Sequence, residues 1–353
     1  MDTLKGFGIF LVFLGHLRLS DERITTYIYS FHMPLFFFIS GIFFNPASVS
    51  EGFYPFFRKK IKTRLIPYLA FGLITYPPWA VDTIIYSLRN PSWTTLHDWN
   101  NLLVPFIGML YGNDSHGWLW HNGLLWFLAC LFVTELLFFW VIRTAGQRSS
   151  TIAGILVIFA VLGYLDPLLP HIRLPFSADV AFTAIVFYGA GYLFRGTGLI
   201  HAAPKTYMVA LCPIIALTSI HFNGHTDMNT MTYGNIVLFY LSALSSILLY
   251  IELFKRAGNA AILKPLENVG KNSVIFFALQ AVAFLVLRLV YLKLLKVHIH
   301  ASPLSLLQGL IFALLAILLL VPASIAINRH LPFITGKASR STKNHVPAGV
   351  PAP

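Results

Sequence analysis

Ten apolar segments leave this chain little choice of fold. They lie at 3–18, 27–44, 65–86, 123–142, 152–165, 180–194, 206–220, 233–253, 273–292 and 305–327. An untilted helix needs about 20 apolar residues to cross a bilayer, and most of these runs approach that length. Hydrophobic residues make up 57% of the 353 and charged residues 11%, against about 25% charged in soluble domains. That much apolar surface cannot be hidden in a soluble core. The reading is an all-α polytopic membrane helix bundle with about ten transmembrane helices. The fifth and sixth segments are the shortest, and either extend into their loops or pair as a re-entrant hairpin.

Charge supplies the topology. With the N-terminus in the cytoplasm, the inside loops and tail together with Lys5 hold 18 of the 25 basic residues, among them Arg58, Lys59, Lys60, Lys62 and Arg64. The outside loops hold seven: Arg18, Arg23, Arg89, Arg173, Arg288, Lys293 and Lys296. The positive-inside rule expects this asymmetry, with both termini cytoplasmic. The net charge of +12 therefore reflects topology and contact with anionic membrane lipids rather than a nucleic-acid partner. Residues 1–330 form one membrane domain, and 331–353 read as a disordered cytoplasmic tail. The first apolar run lacks a basic segment and a small-residue cleavage site, so it reads as a retained span. Cys130 and Cys212 sit inside apolar runs and imply neither a disulfide nor a thiolate metal site.

Polar residues inside such spans are costly and mark function. Lys5 and His16 are eleven residues apart, so on a helix they share a face to within about 20° and stand about 16 Å apart along the axis. Gly8 and Val12 lie between them on that face, where small residues let another helix or a slim ligand approach, as in a channel for a long anionic substrate. An imidazole near the outer boundary can act as a general base. A snorkelling lysine and an interfacial histidine are the plain alternative. His32 falls at the level of His16, which allows a catalytic pair or a metal site, or else a hydrogen bond to a carbonyl freed by Pro34. Glu135, midway along the fourth span, should face the bundle interior, to orient a histidine or to pair with a buried cation. Asp2 can pair with Lys5. The Arg58–Arg64 cluster makes a phosphate cradle or a topology anchor. The aromatic loop 87–122 offers Trp93, Trp99, Trp118 and Trp120 with His97, His116 and His121, either as a glycan site or as an interfacial belt. His221-x-x-x-His225 and His298-x-His300 have metal-compatible spacing but lie in polar loops without cysteines, and no metal is expected.

Five stretches in order carry a resemblance: Asp2-x-x-Lys5-Gly6-x-Gly8-Ile9 closing on Gly15-His16, Phe31 to Gly41, Arg64-Leu65-Ile66-Pro67-Tyr68, Leu125-Trp126-Phe127-Leu128, and Gly270-Lys271-Asn272-Ser273. The chain resembles the acyltransferase family 3 membrane proteins, and more closely their fucose 4-O-acetylase-like branch. The resemblance implies an integral-membrane O-acyltransferase that moves an acetyl or short acyl group from acetyl-CoA to a hydroxyl of a cell-surface saccharide or its lipid-linked precursor, in a bacterial inner membrane.

It further implies His16 as the catalytic residue, with Lys5, Arg64, Lys62 and Lys60 on the acyl-CoA; Asp2 matches the family pattern as a catalytic partner, and Glu135 joins the catalytic candidates on its place within the fourth span. Lysine stands at position 5 where members often have arginine. Ile61 occupies the place of the basic residue that usually pairs with Arg64, so Lys60 or Lys62 takes that part. His32, Trp126, Asn272 and Gln280 are the substrate-binding candidates, Gln280 standing where members often carry histidine. In the implied mechanism His16 removes the hydroxyl proton as the oxygen attacks the thioester, or relays the acetyl group itself. Ser40 and Asn272 are the oxyanion candidates. A transporter or flippase for a glycan or organic anion, with Lys5, His16 and Glu135 as a proton relay, is the rival reading, and a non-catalytic assembly factor a third.

Overall fold

The computed structural model describes residues 1–89, 100–168, 173–258, 260–295 and 303–336, and among these there is no strand. The helices are α1 Asp2–Gly15, α2 Glu22–Ile42, α3 Ala47–Ser50, α4 Phe53–Lys60, α5 Ile66–Arg89, α6 Asn100–Tyr111, α7 Trp126–Ala145, α8 Ser149–Leu165, α9 Ala178–Gly196, α10 Thr206–Asn223, α11 Ile236–Ala257, α12 Lys264–Lys271, α13 Ser273–Leu295 and α14 Leu306–His330. Each of the ten apolar segments coincides with one long helix. Seven of these are long and apolar enough to cross a membrane: the helices within 123–145, 149–168, 175–196, 206–223, 236–257, 273–291 and 306–330. The other three fall short for local reasons. The first is only 14 residues long, the second is diluted by Thr25, Thr26, Ser30, His32 and Pro34, and α5 carries Asp82 and the Pro77-Pro78 pair. The fifth and sixth segments extend into their loops, as α8 and α9.

Contacts between distant loops define two ends. At one end Leu304 meets Leu19, Asn113 donates to the Leu174 carbonyl, and Asn229 donates to Asp114. At the other, Arg195 caps the Ile42 and Phe44 carbonyls, Lys255 donates to the Leu199 carbonyl, and Asn328 donates to Asn272. The basic loops gather at this second end. Helices α1, α2, α7 and α9 form the centre, while α8 and α10 lie outside, with 17% of their apolar windows buried against 78% for α7. Glycine sets one of the close crossings. A Cβ on Gly41 would stand 1.8 Å from the Tyr188 carbonyl oxygen, and one on Gly191 2.0 Å from that of Phe38, so α2 and α9 touch backbone to backbone.

The long loop 87–122 is not all loop. Its second half forms α6, held by Tyr68 Oη donating to the Met109 carbonyl and Tyr76 Oη to that of Leu102. Pro105 and Gly108 disguise this helix, yet Gly108 is where it meets the Trp118 carbonyl, too close for any Cβ. Trp93, His97 and Trp99 lie outside the described residues.

Candidate functional site

His16 follows the last turn of α1, and its Nδ1 lies 2.7 Å from the Val12 carbonyl oxygen. A carbonyl only accepts, so Nδ1 carries a proton and the neutral ring keeps its lone pair on Nε2. His32 repeats the arrangement, with Nδ1 2.9 Å from the Ile28 carbonyl. That carbonyl is not the Ser30 carbonyl that Pro34 leaves without a helical donor, so Pro34 does not explain the bond. The rings lie 6.4 Å apart, nearly perpendicular, and Tyr29 packs on both.

Both histidines line a cavity of about 420 Å³, within the roughly 300–1,000 Å³ of small-ligand sites. Trp120, Trp126 and Phe284 give it flat apolar walls, while Asp114, Asp227, Asn229, Asn122 and Gln280 give it polar groups. The chain thus brings together loops 112–123 and 224–235 with α1, α2 and α13. Asp114 accepts from Asn229 at 2.9 Å, and the Asn229 carbonyl accepts from Arg173, itself bonded to buried Asp179. Burial, reinforced by Asp227 and opposed by the Asn229 amide and Arg173, raises the Asp114 carboxyl to about 6. His121, also on the cavity wall, is held down to about 4 by burial, so it is neutral near pH 7.

Trp126 and Gln280, expected at the substrate, are therefore beside His16. Gln280 donates from Nε2 to the same Val12 carbonyl that holds His16, at 3.3 Å. Asn272 is not there. It sits eight residues before Gln280, about 12 Å down the bundle, bonded to Asn268 and Asn328. The site residues absent from the sequence reading are Tyr29, Asp114, Asn122, Asp227 and Asn229. No local pattern marks them beyond the polarity of two loops. His225 stacks on Tyr29, and His221 turns to Phe222. The His298-x-His300 pair lies outside the described residues.

Lys5 and His16 do face the same way, toward α2. Lys5 stands 4.8 Å over the Phe43 ring and pairs with Asp2 at 3.2 Å, which places Asp2 at the far end from His16. The stripe between them is occupied. The position of a Cβ on Gly8 is 2.8 Å from Phe36 Cζ and 3.1 Å from Leu35, and Val12 is fully buried. An open lane along Gly8 and Val12 is therefore replaced by a packed helix contact.

Glu135 is likewise remote from His16. It lies nine residues beyond Trp126 on α7, about 13 Å down the axis, and is buried between two cations. Lys60 Nζ donates to it at 2.8 Å, and Arg64 donates from Nε at 3.0 Å and Nη2 at 2.9 Å. Residues Ile61–Leu65 form a π-helical turn, with the Ile66 amide on the Ile61 carbonyl. Lys60 and Arg64, four apart, share one side of this segment and converge on one carboxylate. Lys60, not Lys62, is the partner of Arg64. Lys62 is exposed, and the pair meets a glutamate of this chain instead of standing open as a cradle.

Among the described residues the chain is thus an all-helical bundle with a histidine-lined cavity at one end and clustered cations at the other. The chain matches the family model of the acyltransferase 3 domain over residues 1–329. It belongs to that family, and it is a multi-pass membrane acyltransferase. Neither the curated proteins nor the solved structures contain a match.

Proposed function

We propose that this chain is an O-acyltransferase of the bacterial inner membrane, with the basic end in the cytoplasm, and that it moves an acetyl or short acyl group from acyl-CoA to a hydroxyl of a cell-surface saccharide or its lipid-linked precursor. The observation that carries the reading is the pinned His16 ring. Its Nδ1 is committed to Val12, so Nε2 is the nitrogen available to a hydroxyl in the cavity, and it holds a lone pair at neutral pH. Proton removal by Nε2 lets the hydroxyl oxygen attack the thioester carbon. The C–O bond forms, the C–S bond breaks, and the thiolate leaves with the proton returned from the imidazolium. Trp120 and Trp126 offer flat faces to a sugar ring, and the carboxylates and amides meet its hydroxyls.

The anionic donor head docks at the basic end, on Lys5 and the exposed cations of 58–64, about 16 Å from His16. Its arm reaches the cavity when Phe36 swings off Gly8. The test is transfer from labelled acetyl-CoA to envelope saccharide in membranes holding the protein. Wild type should transfer label, and His16→Ala should lose about 10²–10⁴-fold while remaining in the membrane. Retention of most activity by that variant removes His16 from the chemistry.

A further inference from the structure

A smaller cavity of about 210 Å³ lies between α5 and α13. It shares His121, Ala281 and Phe284 with the larger one. By the usual size of ligand sites, roughly 300 Å³ and above, it is too small to serve a separate ligand, and the shared wall makes it an annex. We propose that this annex is a second sugar subsite, so that the acceptor is a saccharide of at least two units that passes His121 on its way to His16. This deepens the acyltransferase reading and rests on it.

Unmet polar atoms carry the inference: those of His121 on the wall the two cavities share, and those of Asn122 and Gln280 on the larger cavity beside it. His121 is 3% exposed, and neither ring nitrogen has a protein hydrogen-bond partner. Asn122 donates to the Ala278 carbonyl at 2.8 Å, and Gln280 donates to that of Val12. Those bonds settle which way each amide points, yet both carbonyl oxygens, Asn122 Oδ1 and Gln280 Oε1, are buried without a partner. Groups left in this condition cost free energy until something bonds them. Two carbonyl acceptors and an imidazole that both donates and accepts call for several hydroxyls at close spacing, which a sugar supplies and an acyl chain does not.

The annex has matching chemistry. Trp79 presents a ring, and Arg288 donates to both oxygens of Asp82, at 2.7 and 2.5 Å. That pair is neutral overall. It gives a phosphate little attraction but gives vicinal hydroxyls a donor and acceptors side by side.

The test uses the full chain in detergent with labelled acetyl-CoA. The probes are oligosaccharides released from the host envelope and sorted into one-unit and longer pools. Wild type should favour the longer pool in kcat/KM by about tenfold or more, roughly one stacked ring with its hydrogen bonds. Trp79→Ala, which removes the ring, and Val282→Phe, which fills the annex, should each collapse that ratio toward one. Equal use of both pools by wild type overturns the subsite while leaving the enzyme reading intact, and so does a ratio unmoved in both variants. Absence of transfer to any pool by wild type overturns both.

Discussion

Replacing Glu135 by glutamine tests the basic end most directly. The carboxylate is 1% exposed, and its cations Lys60 and Arg64 are 14% and 23% exposed. Removing one partner of a buried ion pair costs about 3–5 kcal/mol, because the partner charge is left uncompensated. Two cations are stranded here, but both are partly exposed and can turn outward, so the lower bound of about 3 kcal/mol applies. At about 2 °C per kcal/mol for a chain of this size, Glu135→Gln should lower Tm by about 6 °C. Lys60→Met leaves the two-pronged Arg64 pair intact and should cost about 1 kcal/mol or less. Combining the two substitutions removes the repulsion between the cations, so the double variant should melt above Glu135→Gln alone. Thermal unfolding of detergent-solubilised protein, followed by tryptophan fluorescence, reads all three. The reasoning is refuted if Glu135→Gln melts with wild type, or if Lys60→Met melts below Glu135→Gln. Wild-type Tm with lost transfer would move Glu135 from holding the cations to the chemistry itself.

Asp114, raised to about 6 by burial, favours the folded state when protonated, so its contribution is complete below about pH 4 and is lost as pH rises through about 6. Protease nicking of loop 112–122 should therefore quicken from pH 4.5 to 7 in wild type and stay level in Asp114→Asn. Gly41→Ala drives a Cβ into the Tyr188 backbone, 1.8 Å away, and should abolish the monodisperse peak on size exclusion. Gly154→Ala, exposed and with open space around it, should keep that peak. Phe36→Trp puts a larger ring over Gly8 and should raise the KM for acetyl-CoA about tenfold, given the roughly 1–3 kcal/mol cost of overpacking; an unchanged KM would take the donor arm off this face.

What could be read before folding followed from period and polarity. Apolar length located ten long helices among the described residues, seven of them long and apolar enough to cross a membrane, since a run of some 20 residues has one inexpensive conformation in lipid. The 3.6-residue period put Lys5 and His16 on one face, and α2 does meet both. A lone carboxylate in α7 had to find a cation, and it did. Which cations it finds, Lys60 and Arg64 rather than Lys62, depends on the rotation of the 58–65 segment against α7, and no propensity scale resolves that. The same holds for α6, where proline and glycine read as loop but serve close packing.

Periodicity also reports direction and not occupancy. Gly8 offered room either to another helix or to a slim ligand, and Phe36 of α2 takes it. The cavity was hidden for a complementary reason. Its polar groups come from α2, from loops 112–123 and 224–235, and from α13, and each is ordinary in its own segment: an aspartate in a turn, a glutamine in a span, a histidine beside tryptophans. They become informative only once the fold gathers them and leaves His121, Asn122 and Gln280 with unmade bonds. A buried polar atom is paired in most folds, so four unpaired ones around one cavity are what supports the proposed acceptor site.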